Sequence, residues 1–212
     1  MKTHIKELHK IEQKDYRKLY EMYLEAFADY PKLARAYEDK DDRLAAIGMT
    51  ISYYLAYDLK YGDAYSLDGN INEAIAIVDS EEMDYSEKRC EKANCENEEF
   101  NKFVNRLTPD KVQLWWDFFD EFDRQEAALN IPEPHIYVDY VAVRKGMQGQ
   151  GQGTKIIKAL ERYADERKLP VMLFTNGEDD VRFYLKNGFK IIGITKSEEF
   201  KFENTYLLYE PR

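Results

Sequence analysis

The sequence predicts a mixed α/β fold in which helices cover a central sheet. Its last third alternates strand, helix, strand, helix, strand and strand, an order that implies a mixed sheet with helices packed against it. Helical periodicities in the first half add extra helices to this core. The chain has 212 residues, of which 44% are hydrophobic and 14% aromatic, enough for a substantial core. No internal repeat or low-complexity linker divides it, so we expect one domain over residues 1–212.

Two long helices are predicted near the start of the chain. Apolar residues at helical spacing indicate a first helix over about residues 5–28, which Pro31 ends, and a second over about residues 42–59. The stretch "DAYSL", the turn "DGN" and the stretch "INEAIAIV" then predict a β-hairpin.

The middle of the chain is less regular. Residues 80–101 are acidic and polar, which fits either a helix or a mobile flap. Thr108 and Pro109 then have the residue types of a helix start, and that helix is expected to reach about residue 128. Two prolines break the chain before the last third.

The last third opens with "HIYVDYVAV", which predicts a buried strand that is apolar or aromatic apart from Asp139. A helix over about residues 151–167 and the strand "VMLFT" follow. Next comes a short helix, "EDDVRFYLKN", which Gly188 is well placed to cap. The stretches "FKIIGIT" and "NTYLLYE" predict the closing strands.

Composition and charge exclude several function classes. A formal net charge of -10 argues against a general nucleic-acid binder and favours a neutral or cationic partner. Cys90 and Cys95 form no disulfide framework, and no further zinc ligands lie near them, so we expect a reducing compartment and no metal. The N-terminus lacks the apolar core of a signal peptide, and no apolar run reaches the ~20 residues that span a bilayer. We therefore expect a cytoplasmic protein without a membrane partner, and leave a homodimer open.

The run "QGQGQG" stands between a predicted strand and a predicted helix. A helix start offers unpaired N–H groups and a partial positive charge, and glycine lets the backbone approach an anion. The surrounding stretch "RKGMQGQGQGTKIIK" has basic residues on both sides and no acid. The loop therefore predicts a phosphate or pyrophosphate site, with a ligand-free connector as the alternative. The glycine spacing fits neither the dinucleotide motif nor the Walker motif.

A third pattern fits. Residues 148–153 match Q/R-x-x-G-x-G/A, the acetyl-CoA signature of the GNAT N-acetyltransferase superfamily. The strand end "VAV" and the later segment "LFTNGEDDVRFYLKNGF" also resemble that family, over about residues 135–210. The stretch "PHIYVDYVAV" is most similar to the branch that contains puromycin acetyltransferase.

The resemblance implies a GNAT-like, mostly antiparallel sheet flanked by helices. It also implies acetyl transfer from acetyl-CoA to an amine. Residues 135–212 would form the acetyl-CoA-binding core, and residues 1–134 would supply the acceptor side.

The same resemblance implies the coenzyme contacts. The pyrophosphate would lie on the backbone amides of the loop, where bulk at Gly151 or Gly153 would fill its space, and the pantetheine arm would pair with the main chain at the end of the preceding strand. Asp180 stands where many members carry asparagine, and a carboxylate there repels phosphate, so Asn176 is the candidate that compensates. The side chains of Gln150 and Gln152 are expected to be exposed. The candidate cofactor-binding residues are Val141, Ala142, Val143, Gln148, Gly149, Gln150, Gly151, Gln152, Gly153, Thr154, Asn176 and Asp180.

The chemistry requires that the amine lose a proton and that the leaving thiolate gain one. The resemblance makes Tyr184 the acid that protonates the thiol. Asp139 is the carboxylate within its strand, and we expect it to act as the base or to anchor the amine; deprotonation through water is the alternative. In a regular strand, Asp139 shares a face with His135, Tyr137, Val141 and Val143. His135 is expected to be structural.

Three functions compete at this point. The first is an acetyltransferase for the primary amine of a small molecule, and the second is a peptide or protein N-acetyltransferase. A pocket covered by residues 80–128 favours the first, and an open groove favours the second. The third is a non-catalytic coenzyme A sensor or structural protein, which Asp180 favours and Tyr184 disfavours. A pocket role for Trp116 is a minor possibility.

Overall fold

A computed structural model describes residues 4–28 and 36–212. In this part of the chain, seven strands form one sheet in the order β1-β2-β3-β4-β5-β7-β6. The strands are β1 (His9–Ile11), β2 (Asp63–Ser66), β3 (Glu73–Asp79), β4 (Ile136–Val143), β5 (Val171–Thr175), β6 (Lys190–Ser197) and β7 (Phe202–Tyr209). Strands β4 and β5 are parallel, and the other neighbouring pairs are antiparallel. This confirms the predicted fold class.

Helices cover both faces of the sheet. In the described residues they are α1 (Tyr16–Phe27), α2 (Lys40–Tyr61), α3 (Glu87–Ala93), α4 (Glu98–Val104), α5 (Pro109–Glu126), α6 (Gln152–Arg167) and α7 (Glu178–Lys186). Helix α6 and part of α7 pack on one face through apolar side chains such as Ile156 and Tyr184. Helices α1, α2 and α5 pack on the other face, around Trp115 and Phe118. None of these described helices combines the length and apolarity that crossing a membrane requires.

The prediction for the first helix was wrong at its start. Helix α1 begins at Tyr16, and residues His9–Ile11 form β1, which pairs with β2 at the sheet edge. Leu8 and Ile11 are buried, but against the sheet edge and not on one face of a helix. Their helix-like spacing is therefore coincidental. The predicted stop at Pro31 lies outside the described residues.

The other predicted elements are confirmed with small shifts at their ends. The predicted hairpin is the antiparallel pair β2 and β3. The acidic stretch contains helix α3 and the start of α4, separated by a left-handed Asn94. Gly188 follows α7 with a φ of 89°, as its predicted capping role requires.

Strand β4 is irregular in its middle. Tyr140 pairs with Ala76 of β3 and Val138 pairs with Ile77, so Asp139 is an additional residue within the β3–β4 ladder. Such a bulge reverses the inside-outside alternation of the residues beyond it. Tyr137 belongs to the apolar cluster under α5, whereas Val141 packs with the cluster under α6. The expectation that these two residues share one face was therefore wrong.

Strands β4 and β5 meet only where they begin. Their ladder consists of Ile136 opposite Val171 and Tyr137 opposite Met172. Beyond this point the two parallel strands diverge, although β4 stays paired with β3 as far as Val143. The described sheet therefore has an opening on the β5 side of β4, and the candidate site lies at this opening.

Candidate active site

A cavity of about 690 Å³ lies at the opening between β4 and β5. At one end the cavity is lined by the glycine loop, the start of α6 and helix α7. At the other end it is lined by helices α1, α2 and α5 and by the segment after β3. The loop end includes Gln148, Gly149, Gly151, Gln152, Thr154 and Tyr184, and the other end includes Tyr54, Tyr85, Phe122, Asp123, Glu126 and Asp139.

The backbone conformation of the loop explains two of its three glycines. Gly149 has a φ of 76° and Gly151 a φ of 85°, a region that L side chains rarely adopt. A Cβ added at either position would meet no atom within 4 Å, so the loop surrounds open space. Gly153 lies inside α6, and its Cβ would make an ordinary 3.5 Å contact with Phe183 Cζ. Gly153 is therefore not required for a positive φ.

Helix α6 begins without a capping side chain, because its N-cap is Gly151. The first N–H groups of a helix have no partner within the helix, and no acidic residue stands in the first turn of α6. The side-chain oxygen Oε1 of Gln152 is also buried on the cavity wall, with no hydrogen-bond partner in the described residues. Gln152 is therefore half-buried and not exposed as expected. The backbone amides and the open space at the glycines fit an anionic group such as a pyrophosphate, whereas the Gln152 oxygen accepts only and would need a donor.

The basic flanks of the loop contribute less positive charge than the sequence suggested. Arg144 Nη1 lies 2.5 Å from Glu25 Oε2 of α1, and Lys158 Nζ lies 2.7 Å from Glu161 Oε2. Both cations thus have carboxylate partners that the local stretch "RKGMQGQGQGTKIIK" does not contain. The attraction for an anion therefore rests mainly on the backbone amides and the helix start.

Two glutamines of the loop have different surroundings. Gln148 lines the cavity, and its Nε2 donates to the carbonyl oxygen of Val143 across 3.1 Å. Gln150 is exposed and does not line the cavity. Thr154 lines the cavity and is also exposed. It makes no side-chain cap of the helix, so the alternative of a capping role is not supported.

The end of β4 forms one wall of the cavity. Val141, Ala142 and Val143 all line it, and they lie beyond the point where β4 leaves β5. Ala142 is buried and packs toward α1 and α2, whereas Val141 packs toward α6. Their backbone edge on the β5 side is open to a strand-like partner.

Asp180 lies on the cavity wall near the start of α7. It accepts a hydrogen bond from the hydroxyl of Thr175 across 3.2 Å. Burial raises the pKa of Asp180, and the Thr175 hydroxyl offsets only part of this effect. Asn176 does not compensate for it. The Asn176 amide donates to β7, at Asn204 Oδ1 across 2.6 Å, and the residue does not line the cavity.

Tyr184 is both a core residue and a cavity residue. Its ring packs against Phe183 and Phe189, with centroids 5.1 Å and 5.4 Å away, and only 8% of the residue is exposed. It also lines the cavity at the α7 side. The structure therefore brings Tyr184 and Asp139 to one cavity, from opposite sides of the β4–β5 opening.

Asp139 lines the cavity at the bulge of β4. Its carboxyl lies within hydrogen-bonding reach of a second carboxyl, that of Asp58 on α2, which is fully buried. Burial raises the pKa of Asp58 well above its usual value, and the charge of Asp139 raises it further. Sequence reasoning missed Asp58, which stands in a helix full of apolar residues.

The remaining candidates lie away from the cavity. His135 Nδ1 lies 2.9 Å from the carbonyl oxygen of Pro132, and its backbone N–H donates to the Ser80 hydroxyl. Burial lowers the pKa of His135. Its position supports the structural role expected for it. Trp116 packs against Tyr53 and does not line the cavity.

The part of the cavity beyond Asp139 is aromatic and acidic. Tyr54, Tyr85 and Phe122 supply aromatic surface, and Asp123 and Glu126 of α5 supply carboxylates. This combination suits an organic cation, because aromatic faces and carboxylates both attract positive charge.

Comparison with known proteins agrees with this geometry. Residues 112–189, which run from within α5 to just beyond α7, match the Acetyltransferase (GNAT) family. The chain carries a GNAT acetyltransferase domain. Family and fold together indicate an acyltransferase, and the GNAT family generally uses acetyl-CoA. No curated protein matches the chain.

Solved structures share the GNAT fold over nearly the whole chain. A structure described as histone acetyltransferase HPA2 and related acetyltransferase, from Corynebacterium glutamicum, has a TM-score of 0.59 at 17% identity and covers 97% of this chain and 96% of its own. A candidate arylalkylamine N-acetyltransferase 7 from the mosquito Aedes aegypti has a TM-score of 0.61 at 12% identity, with coverages of 96% and 86%. The ribosomal-protein-S18-alanine N-acetyltransferase of Escherichia coli has a TM-score of 0.51 at 10% identity, with coverages of 96% and 92%. At these identities the likeness concerns the fold.

Proposed function

We propose that this protein transfers the acetyl group of acetyl-CoA to the primary amine of a small molecule. One observation carries the proposal: the glycine loop with the start of α6 and the carboxyl of Asp139 line the same cavity. A donor with a pyrophosphate and an acceptor with an ammonium group would therefore be held in one cavity. Holding two reactants together supplies much of the acceleration in such transfers.

The loop end of the cavity fits the coenzyme. The backbone amides of residues 149–154 would hold the pyrophosphate. The open edge of β4 at residues 141–143 would pair with the amide-containing pantetheine arm, in the manner of an added strand. Acetyl-CoA supplies an acetyl group activated as a thioester.

The other end of the cavity favours a small cationic acceptor. The segment over residues 80–128 contributes Met83, Tyr85 and Phe119 to the cavity wall, which favours a pocket over an open groove. The wall carries the carboxylates of Asp123 and Asp139, in a chain that is acidic overall. An ammonium group would be attracted to these carboxylates, and an apolar body would contact the rings.

Two residues have positions from which they would move protons. Asp139 would accept the proton of the bound ammonium, or fix the amine while water accepts it. Tyr184 would give its hydroxyl proton to the departing thiolate. In this proposal the single domain has two parts that meet at β4. Residues 1–134 would bind the acceptor, and residues 135–212 would bind the coenzyme.

A thiol-release assay tests the proposal. The protein is incubated with acetyl-CoA and a panel of primary amines that carry aromatic or aliphatic bodies, and free thiol and N-acetyl product are both measured. The proposal expects equal amounts of thiol and product for some primary amines, and none for their N,N-dimethyl analogues. Acetylation of peptide N-termini with no turnover of small amines would show a peptide N-acetyltransferase instead. Tight coenzyme binding without turnover of either class would show a sensor or structural protein.

A further inference from the structure

The exposed large apolar side chains of the described residues lie together at one edge of the sheet. They are Leu185 of α7 and Ile191, Ile192 and Ile194 of β6, which are exposed by 43%, 45%, 36% and 52%. We call these four residues the β6 patch. Strand β6 is the last strand of the described sheet, so its outer edge has no strand neighbour in that part of the chain. Apolar side chains exposed singly are ordinary, whereas a cluster of them is typical of a surface that contacts a partner.

A bulge in β6 brings two of its isoleucines to one face of the sheet. Ile191 pairs with Leu207 of β7 and Ile194 pairs with Thr205, so three steps along β6 match two steps along β7. Residues directly opposite each other in a ladder lie on the same face, and residues two apart in a strand do so as well. Leu207 packs in the cluster under α6, so both isoleucines face that side. Helix α7, which carries the fourth member of the patch, also packs on this side.

Side chains from the end of α5 cover β6 from the opposite face. Gln125 Nε2 donates to the carbonyl oxygen of Lys196 across 2.9 Å, and a Cβ at Gly193 would lie 2.8 Å from Leu129 Cδ2. Gly193 faces α5 because it pairs with Tyr206, a residue of the cluster under that helix. Within the described residues, the isoleucine side of β6 therefore stays exposed.

The two ends of the β6 patch carry opposite charge. Lys186 stands at the α7 end, and Glu199 follows the end of β6. Both are exposed, and neither belongs to an ion pair within the described residues. The two lysines of β6 itself have carboxylate partners on β7 or just after it, so they add little net charge. Lys186 and Glu199 therefore set the sign of the charge at the two ends.

We propose that the β6 patch binds the same patch of a second copy of this chain, with the two β6 strands antiparallel across a two-fold axis. In such an isologous contact every pair of residues occurs twice, once from each copy. Ile191 of one copy would stand opposite Ile194 of the other, so apolar surface covers apolar surface. The same arrangement brings the Lys186 end of each copy to the Glu199 end of the other, where opposite charges attract.

The charge of the chain favours this surface over others for contact between copies. With a formal net charge of -10, two copies repel each other through their excess of acidic groups. The β6 patch instead combines apolar side chains with ends that complement each other in the antiparallel arrangement. Standard interfaces bury about 800 Å² on each partner, and four partly exposed side chains supply less than that. The dimer is therefore expected to be weak, with a dissociation constant in the micromolar range.

Sedimentation velocity of the full chain, without coenzyme or amine, measures the association. The wild type should pass from monomer to dimer between low and high micromolar concentration. Ile194→Glu should raise the dissociation constant at least about tenfold, because the symmetry places the introduced carboxylate in the interface twice. The control is Asn105→Glu, which adds the same charge at an exposed residue after α4 and should change the constant less than about twofold.

A charge exchange tests the antiparallel arrangement. Lys186→Glu and Glu199→Lys should each raise the dissociation constant by roughly two- to tenfold, because each replaces an attraction between copies with a repulsion. The double variant restores the attraction with reversed signs and should return to the wild-type value. Glu199→Lys lowers the net negative charge of the chain, so general repulsion between copies would make it associate more tightly. Constants that simply follow the net charge of each variant would overturn the arrangement.

The outcomes are independent of the proposed function, because none of them depends on turnover. A wild type that stays monomeric at high micromolar concentration would overturn the inference, whether the patch then binds phosphatidylcholine vesicles, another protein or neither. A dimer that a folded Ile194→Glu variant forms equally well would show that the interface lies elsewhere. If Ile194→Glu does not fold, the charge exchange still decides, since Lys186 and Glu199 are exposed.

Discussion

The side-chain amide of Gln148 donates from Nε2 to the carbonyl oxygen of Val143 across 3.1 Å. This bond joins the glycine loop to the last residue of β4. The loop would hold the pyrophosphate of the coenzyme, and the end of β4 would hold its pantetheine arm. Gln148 therefore connects the two surfaces that the proposed coenzyme would contact together.

Replacement of Gln148 should loosen the loop. The substitution removes no charge. It removes one exposed hydrogen bond between neutral groups, which contributes about 0.5–1.5 kcal/mol. Gln148→Ala should weaken acetyl-CoA binding by roughly two- to tenfold, as measured by calorimetry. Gln150→Ala is the matched control, because Gln150 is exposed and does not line the cavity. A larger effect at position 150 than at position 148 would contradict the account.

The loop glycines should differ in their tolerance of alanine. Gly151 has a φ of 85°, where an L side chain costs about 1–2 kcal/mol. Gly151→Ala should therefore lower both stability and coenzyme affinity. Gly153 lies in α6 with space for a Cβ, so Gly153→Ala should be neutral or more stable by about 0.4–1 kcal/mol. Urea unfolding of the two variants checks this, and equal losses at both positions would count against the geometry of the loop.

Asp180 should weaken coenzyme binding at neutral pH. Burial raises the pKa of Asp180, so the carboxylate is present only above that raised value, where it would repel the phosphates. Asp180→Asn should bind acetyl-CoA more tightly by about 1 kcal/mol, roughly fivefold. The advantage should shrink as pH falls and the wild-type carboxyl becomes neutral.

The control for this variant is Asp179→Asn. Asp179 also lines the cavity, but its carboxylate is paired with Arg182, so its removal should change affinity less. An Asp180→Asn variant that binds more weakly than the wild type at every pH would show that the Asp180 carboxyl itself contacts the coenzyme.

Tyr184→Phe should keep coenzyme binding and lower turnover. The ring packing against Phe183 and Phe189 remains, and only the hydroxyl is lost. General acid catalysis is typically worth about 100-fold or more, so single-turnover rates should fall by at least that factor. Tyr163→Phe is a matched control, because Tyr163 is a buried tyrosine of α6 outside the cavity. Equal single-turnover rates in the wild type and Tyr184→Phe would show that Tyr184 contributes to packing and not to catalysis.

Local signals in the sequence were sufficient to predict most of the fold and the position of the glycine loop between β4 and α6. The strand before the loop, the glycines and helix α6 are contiguous, and their roles follow from backbone conformation and helix ends. The helical spacing of apolar residues in α2 and the turn of the β2–β3 hairpin are equally local. Each of these features is determined by residues within about 20 positions of one another, and hydrophobic periodicity can be recognised in windows of about that length.

Features that depend on distant residues could not be predicted in this way. The partner of Arg144 is Glu25, far away in the chain, so the apparent basic field of the loop is partly neutralised. Strand β1 exists because the edge of β2 pairs with it, although its own apolar spacing resembled a helix. The contact of Asp58 with Asp139 requires both the bulge in β4 and the packing of α2 on the sheet, and neither is visible in a local pattern.

A crystal structure with coenzyme A and a primary amine from the thiol-release panel would show whether both substrates bind in the one cavity. We expect pyrophosphate oxygens within hydrogen-bond distance of backbone N–H groups in residues 149–154, and the amine nitrogen beside Asp139 in the same cavity. A pyrophosphate bound away from the loop, or an amine bound on the α6 side of β4 and out of reach of Asp139, would contradict it.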